Sequence, residues 1–365
     1  MAMTKLKEKS KAKKTKVCLL FGGRSHEHEV SLSSAASIFN NLDQRKYKII
    51  CVYINKKGDW KIVPSPCLSI QELTAGSFYP FLPWGAKTLP QIIKADIYFP
   101  MLHGPYGEDG TIQGLFEMAD VPYVGAGVMA SALGMDKALM KTIFKAKNLP
   151  VVQYLILFEL EWKKNREGIL KKIKKEFPLP LFVKPTNLGS SVGISKVKDY
   201  TQTSQALRAA FSHDRKILVE EGIKGRELEC SVLGNDNPQV TLPGEIIPYR
   251  EFYDYRDKYL DGKTTFGIPA QVPSSVIKDI QRISLEAYQA IDCSGMARVD
   301  FLLEDKTGKI YLSEINTIPG FTEISMYPKL WEVSGLPFPR LVEELIKLGF
   351  ERHQSKKRDQ KSLLQ

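Results

Sequence analysis

The string KVCLLFGG, residues 16–23, restricts the fold of this chain more than any other stretch. Five consecutive apolar residues, 17–21, closed by two glycines, suit a strand buried on both faces, and such strands belong to parallel sheets covered by helices. EVSLSSAASIFNNL follows with apolar residues at helical spacing, and YKIICVYI supplies a second strand. A strand-helix-strand succession of this kind opens a doubly wound layer. ADIYFPMLHG predicts a further strand running into a glycine-rich loop, residues 111–118 a helix, and Gly125 the approximate end of a first domain. Residues 56–95, interrupted by Pro and Gly, read as an irregular connection.

Helical periodicity through VGAGVMASALGMDKALMKTIFKAKNL breaks at Pro150. FPLPLFVKPTNLGSSVGISKV then reads as strand, small-residue loop and strand, residues 201–211 as a helix, and KILVEEGI as another strand. The remainder runs through RELECSVLG, an aromatic loop REFYDYRDKYLDGKTTFG, a helix over residues 274–291, a hairpin, and a closing helix ending near Leu348. The fold class is therefore α/β and α+β together. At 365 residues and 43% hydrophobic, the chain has material for several cores.

Charge tempts a nucleic-acid reading, since the net value is +11, but +6 of it falls in residues 1–16 and +3 in residues 351–365. Such end-runs are expected as solvated basic tails, at 1–15 and 351–365, and no nucleic-acid partner is expected. Cys18, Cys51, Cys67, Cys230 and Cys293 show no C-x-x-C spacing and suit buried thiols in a reducing cytoplasm. The apolar stretch after the basic start is too short for a signal-peptide core, and no run of about 18 apolar residues exists, so no membrane partner is expected.

The hairpin MARVDFLLEDKTGKIYLSEINTIPG carries the most chemistry. Alternation puts Arg298, Asp300 and Leu302 on one face, and Leu312, Glu314 and Asn316 on one face of the partner strand. Asp300, Glu314 and Asn316 are hard oxygen donors of the kind Mg²⁺ takes beside phosphate. A polar sheet face in water is the bland alternative; Leu302 and Leu312 argue against simple solvation, and Gly320 after Pro319 offers a turn N–H to a substrate. Arg298 is either an ion-pair partner of the acids or a fixed guanidinium for an anionic transition state.

Three further strings matter. VKPTNLGSSVG places Lys184 at a strand end before a loop, Gly189, Ser190, Ser191 and Gly193, whose N–H groups can approach phosphates, though it is not a Walker sequence. FGGRSHEHEVS lacks G-x-G-x-x-G, which disfavours NAD, and its His26 and His28 do not share a helix face as a zinc pair would. Glu27, an acid at a strand-helix junction, can instead hold a substrate ammonium. In HGPYGEDG, His103 ends a strand and is a candidate for the site, while Glu108 and Asp109 read most simply as caps of the helix from Thr111.

Taken in order, LFGGRSHEHEVS, LHGPYGEDGTIQG, GAGVMASALGMDK, KPTNLGSSVG, FYDYRDKY, ARVDF and EINTIPGFTEISMYP resemble the D-alanine–D-alanine ligases of the ATP-grasp superfamily from Lys16 to about Gly349. The resemblance implies an ATP-grasp fold, with an N-terminal doubly wound parallel-sheet substrate domain at 16–125, a central ATP-binding lobe at 126–221 and a C-terminal lobe at 222–350. It implies an enzyme that joins two D-alanine molecules through an acyl phosphate, with ATP and two Mg²⁺ or Mn²⁺, as a cytoplasmic homodimer. Lys137, Lys184 and Ser191 would hold phosphates, Glu220, Glu221 and Ile223 adenine, Glu227 ribose, and Lys258 the γ-phosphate. Asp300, Glu314 and Asn316 would ligate the metals. Glu27 would anchor the first D-alanine near Val30 and His103, with Ser190 and Tyr259 in its hydrogen-bond network. Arg298 and Gly320 would stabilise the oxyanion, and Ser325 with Met326 would receive the second carboxylate. Tyr259 fits dipeptide synthesis, since relatives that use D-lactate place histidine there.

Overall fold

The computed structural model describes residues 13–78, 93–189, 192–248 and 264–363, the last six by their backbone alone. Ser190, Ser191, Lys258 and Tyr259 lie outside the described residues, as do residues 1–12 of the basic N-terminal stretch.

The first sheet contains β1 (Thr15–Gly22), β2 (Tyr47–Ile54), β3 (Trp60–Val63) and β4 (Ile97–Met101) in the order β3-β2-β1-β4. β1 runs parallel to both neighbours, whereas β3 is antiparallel to β2, so part of the expected irregular connection is an edge strand. Among the described residues the helices of this layer are α1 (His28–Asn41), the short α2 (Ile70–Thr74) and α3 (Thr111–Met118). Residues 17–21 are wholly buried because both faces of β1 are covered. Cys18 and Leu20 pack with Phe116 of α3, and Leu19 and Phe21 with Ile38 of α1.

Next come α4 (Val128–Met135) and α5 (Lys137–Ala146). Ala130, Met140 and Phe144 of these helices share a core with the third sheet, so the central unit's own core begins later, at β5. β5 (Tyr154–Phe158), β6 (Leu181–Pro185), β7 (Ser195–Val197) and β8 (Lys216–Glu221) form an antiparallel sheet ordered β5-β8-β6-β7. One of its faces is covered by α6 (Glu159–Lys164), α7 (Arg166–Glu176) and α8 (Thr203–Phe211), through Trp162, Ile173 and Leu207.

The third sheet contains β9 (Gly225–Gly234), β10 (Gln239–Val240), β11 (Gly244–Ile247), β12 (Thr265–Gly267), β13 (Gly295–Glu304) and β14 (Ile310–Asn316). Its order is β12-β11-β9-β13-β14, with β10 beside β9. Leu228, Cys230, Val232, Val299 and Phe301 point inward against Ile280, Ile283 and Tyr288 of α9 (Ser274–Ala290). The alternate residues of β9 and β13 therefore face away from this core.

The hairpin departs from strict alternation. Arg298 pairs with Asn316 and Asp300 with Glu314, but Phe301 pairs with Leu312, so Ser313 is an extra residue in a bulge. Leu312 consequently turns into the core with no exposed surface, and Tyr311 takes the expected place opposite Leu302.

After α10 (Met326–Val333), the closing helix α11 (Phe338–Leu363) runs well past Leu348 and contains most of the expected C-terminal tail. Among its basic residues, the Arg352 guanidinium lies 3.9 Å from the Tyr123 ring centre, and Lys356 pairs with Glu117 at 2.6 Å. The first half of α11 covers β1 through Leu341, Leu345 and Ile346. Cys67 is exposed, unlike the other four cysteines. No helix among the described residues is long and apolar enough to cross a membrane.

Candidate active site

The outward faces of the second and third sheets, the tip of the first layer and the loop after β14 enclose a cavity of about 930 Å³. All the candidate residues with described positions line it: Glu27, Val30, His103, Lys137, Lys184, Glu220, Glu221, Ile223, Glu227, Arg298, Asp300, Glu314, Asn316, Gly320, Ser325 and Met326.

Its acidic wall follows from strand register. Glu227 stands beside Leu302, Glu229 beside Asp300 and Ser231 beside Arg298 across β9 and β13, while β14 adds Glu314 opposite Asp300 and Asn316 opposite Arg298. Arg298 grips Asp300 with two parallel bonds of 2.7 Å and reaches Glu229 at 3.1 Å. Burial opposes its charge, yet Asp300 and Glu229 hold the guanidinium protonated. Asn316 Nδ2 donates to Asp300 at 3.0 Å, so its Oδ1 remains as a ligating atom. Two carboxylates and one amide oxygen on a single face match the donor set that Mg²⁺ takes beside phosphate. Among the described residues no group of three or more Asp, Glu, His or Cys side chains could hold a metal, so the amide and the substrate's own oxygens would complete the shell.

The basic wall comes from α5 and the second sheet. Lys137 opens α5, donates to the Leu188 carbonyl at 2.8 Å and lies 3.6 Å from Glu314. Lys184, next to last in β6, pairs with Glu220 of β8 at 2.5 Å, while Lys141 pairs with the other Glu220 oxygen at 2.9 Å. Burial alone would raise the Glu220 carboxyl, but the two ammoniums overcome it and bring it to about 2. The side chain of Glu220 is therefore engaged by lysines rather than standing open toward a base.

At the other end, Glu27 is the N-cap residue of α1. A Cβ built on Gly189 would come within 2.7 Å of its Oε2, so the loop after β6 approaches this acid by backbone alone. His103 is almost fully buried; its Nδ1 meets the Ile318 carbonyl at 3.1 Å and its Nε2 meets Ser34 Oγ at 3.0 Å. Since a carbonyl only accepts, Nδ1 carries the proton and Nε2 accepts from Ser34. Burial lowers the imidazole pKa, with Arg298 working in the same direction and Glu27 against it. Ser34 Oγ also accepts from the Phe321 N–H at 3.1 Å, which ties α1 to the Gly320 turn. His28 of the H-E-H-E string is structural: it donates to the Gly23 carbonyl at 2.7 Å and meets Tyr53. Ser325 Oγ accepts from the Thr322 N–H at 2.9 Å and flanks the N-terminus of α10, which faces the cavity.

Among the lining residues that sequence reasoning missed, three bear on the charge of the site. Lys141 is one helical turn from Lys137, and Glu229 is two residues along the strand from Glu227; both spacings put the pair on one face. The third, Glu108, is not the expected cap, because Asp109 receives the Thr111 N–H while Glu108 accepts from the Gly104 N–H at 2.9 Å. Burial, then the nearby Glu27, raises its carboxyl from 4.5 to about 8. The folded state thus keeps a proton that the unfolded chain sheds between those values, and stability falls as pH rises through that window. Glu108→Gln is expected to flatten this part of the stability profile relative to the parent, measured by denaturant melts from pH 5 to 9; parallel profiles would refute the raised carboxyl.

Residues 16–126 match the protein family described as "D-ala D-ala ligase N-terminus", and residues 143–347 the family described as "D-ala D-ala ligase C-terminus". The chain is 48% identical over 367 residues to the D-alanine–D-alanine ligase of Thermoanaerobacter sp. (strain X514), covering 95% of this chain and 99% of that protein. It is 48% identical over 346 residues to the corresponding ligase of Solibacter usitatus (strain Ellin6076), with 94% and 98% covered. The solved D-alanine–D-alanine ligase from Coxiella burnetii superposes with a TM-score of 0.84 at 40% identity, over 96% of this chain and 98% of that one. The VanG D-Ala:D-Ser ligase from Enterococcus faecalis superposes with a TM-score of 0.80 at 35% identity, over 92% and 100%.

Proposed function

Since the chain belongs to the family of D-alanine–D-alanine ligases, we propose that its cavity turns the carboxylate of one D-alanine into an acyl phosphate and presents it to the amine of a second. The protein is an ATP-dependent ligase with the ATP-grasp fold, and its product, D-alanyl-D-alanine, serves peptidoglycan synthesis. What carries the mechanistic reading is the convergence of Lys137 and Lys184 with Asp300, Glu314 and Asn316 on one cavity.

In this reading Lys137 and Lys184 hold the ATP phosphates, Glu220, Glu221 and Ile223 border the adenine and Glu227 meets the ribose. Asp300, Glu314 and Asn316 would hold two Mg²⁺ or Mn²⁺ ions, which when bound neutralise phosphate charge. Glu27 takes the ammonium of the first D-alanine, with Val30 and His103 against its methyl. One oxygen of that D-alanine's carboxylate attacks the γ-phosphorus; the new O–P bond forms as the bond to ADP breaks, and the electron pair leaves with ADP. The second carboxylate settles by Ser325 and Met326, where the N-terminus of α10 favours an anion. The amine, once neutral, attacks the acyl carbon. Arg298 and the Gly320 N–H stabilise the oxyanion until the C–O bond to phosphate breaks. Ser191 and Lys258 would meet the phosphates, and Ser190 and Tyr259 would join the hydrogen-bond network of Glu27.

The family is also the ground for reading the assembly as a homodimer, which sedimentation velocity tests, and ATP consumption is the ground for placing the reaction in the cytoplasm. Identification of the product from ATP and D-alanine tests the function: D-alanine-dependent release of ADP and phosphate with no dipeptide would sink it. Competition among D-alanine, D-serine and D-lactate separates the related ligases. Tyr259→Phe is expected to keep ATP affinity while altering second-substrate choice or the pH profile; an unaltered profile counts against the role given to Tyr259.

A further inference from the structure

Lys141 has no part in the mechanism above, yet it is buried at 2% exposure beside the nucleotide half of the cavity. Among the described residues Glu220 is the one acid within ion-pair distance of it. Its helix packs on both β8 and β14, so the ammonium sits where the central unit, the third sheet and α5 meet. From interior to cavity the order is Lys141, Glu220, Lys184, with side-chain exposures of 2%, 4% and 18%. A buried ammonium is costly unless it is paired, and exchanging a whole buried ion cluster for well-packed apolar side chains is often harmless to folding, whereas removing one member strands the others. Its presence therefore calls for a reason other than packing.

We infer that Lys141 is a positioning residue for triphosphate recognition, acting through Glu220 so that Lys184 keeps an unspent positive charge for phosphate. This rests on the ATP-site reading above. A lone Glu220–Lys184 pair would be neutral, and a phosphate seeking Lys184 would compete with the carboxylate. With Lys141 on the other oxygen the three groups carry +1. Glu220 keeps a counter-ion when Lys184 turns to phosphate, and the incoming anion meets a net positive site. Adenosine lacks phosphates and should be indifferent to this charge.

The test is the ratio of the adenosine dissociation constant to that of ATP, measured with Mg²⁺ by calorimetry on the full chain. Any contact of Glu220 with the base affects both ligands and cancels in the ratio. The net charge of the three groups is +1 in the parent, 0 in Lys141→Met, +2 in Glu220→Gln and +1 in the double variant. The ratio is expected to fall about tenfold in Lys141→Met, to rise in Glu220→Gln, and to return to within about threefold of the parent in the double variant. A purely structural role for Lys141 would weaken both ligands together and leave the ratio unmoved, which overturns the inference. Should Lys141→Met fail to fold, the double variant, which strands no charge, still has to fall below Glu220→Gln; equal ratios overturn the inference as well. A parent ratio near one would instead sink the triphosphate site itself.

Discussion

Glu314→Gln is expected to lower turnover by about a hundredfold or more at limiting Mg²⁺, with part of the loss recovered in excess Mg²⁺. Glu314 faces Asp300 across the hairpin, and Lys137 Nζ stands 3.6 Å away, so the carboxylate lies between the proposed ion site and a proposed phosphate lysine. Glutamine preserves the shape and one ligating oxygen but removes the charge, so folding should hold while cation affinity drops. D-alanine-dependent ADP release, followed over a magnesium titration, reads the effect directly. Full activity at low magnesium would refute the ligand assignment, and a loss that no magnesium relieves would move Glu314 to another role.

Arg298→Lys should reduce kcat by about 10²–10³, the usual consequence of losing one oxyanion donor. Lysine keeps the charge but cannot reproduce the two-pronged grip on Asp300 or reach Glu229 at the same time. Arg298→Ala adds a folding cost of about 3–5 kcal/mol, because two largely buried carboxylates lose their shared partner. Single-turnover measurements of phosphate and dipeptide release, with a thermal melt of each variant, separate the two effects. A lysine variant with parental kcat would remove Arg298 from the chemistry.

Much of this arrangement was legible because strands and helices impose fixed periods. Alternation placed Arg298 and Asp300 on one face, and the apolar run at 17–21 announced a strand covered on both sides, as found. What escaped depends on chain segments that meet only in three dimensions. The bulge at Ser313 is invisible in the alternation of YLSEIN, and it sends Leu312 to the core instead of the site. Glu108 has a helix-capping pattern, but Asp109 takes that bond, and only the approach of α1 shows that Glu108 shares a cavity with Glu27. The basic end of α11 resembled a solvated run because Glu117, Asp120 and Tyr123, its partners, lie more than 220 residues earlier.

That last helix means the chain is buckled like a belt: its end fastens over its beginning. Leu341, Leu345 and Ile346 fill the same core as Leu19, Phe21 and Ile38. An excised fragment stopping at residue 126 would leave this apolar floor wet, and would be expected to clump when expressed by itself. Anyone dividing the polypeptide into pieces must carry residues 338–357 along with the first 126, or supply them in trans as a peptide.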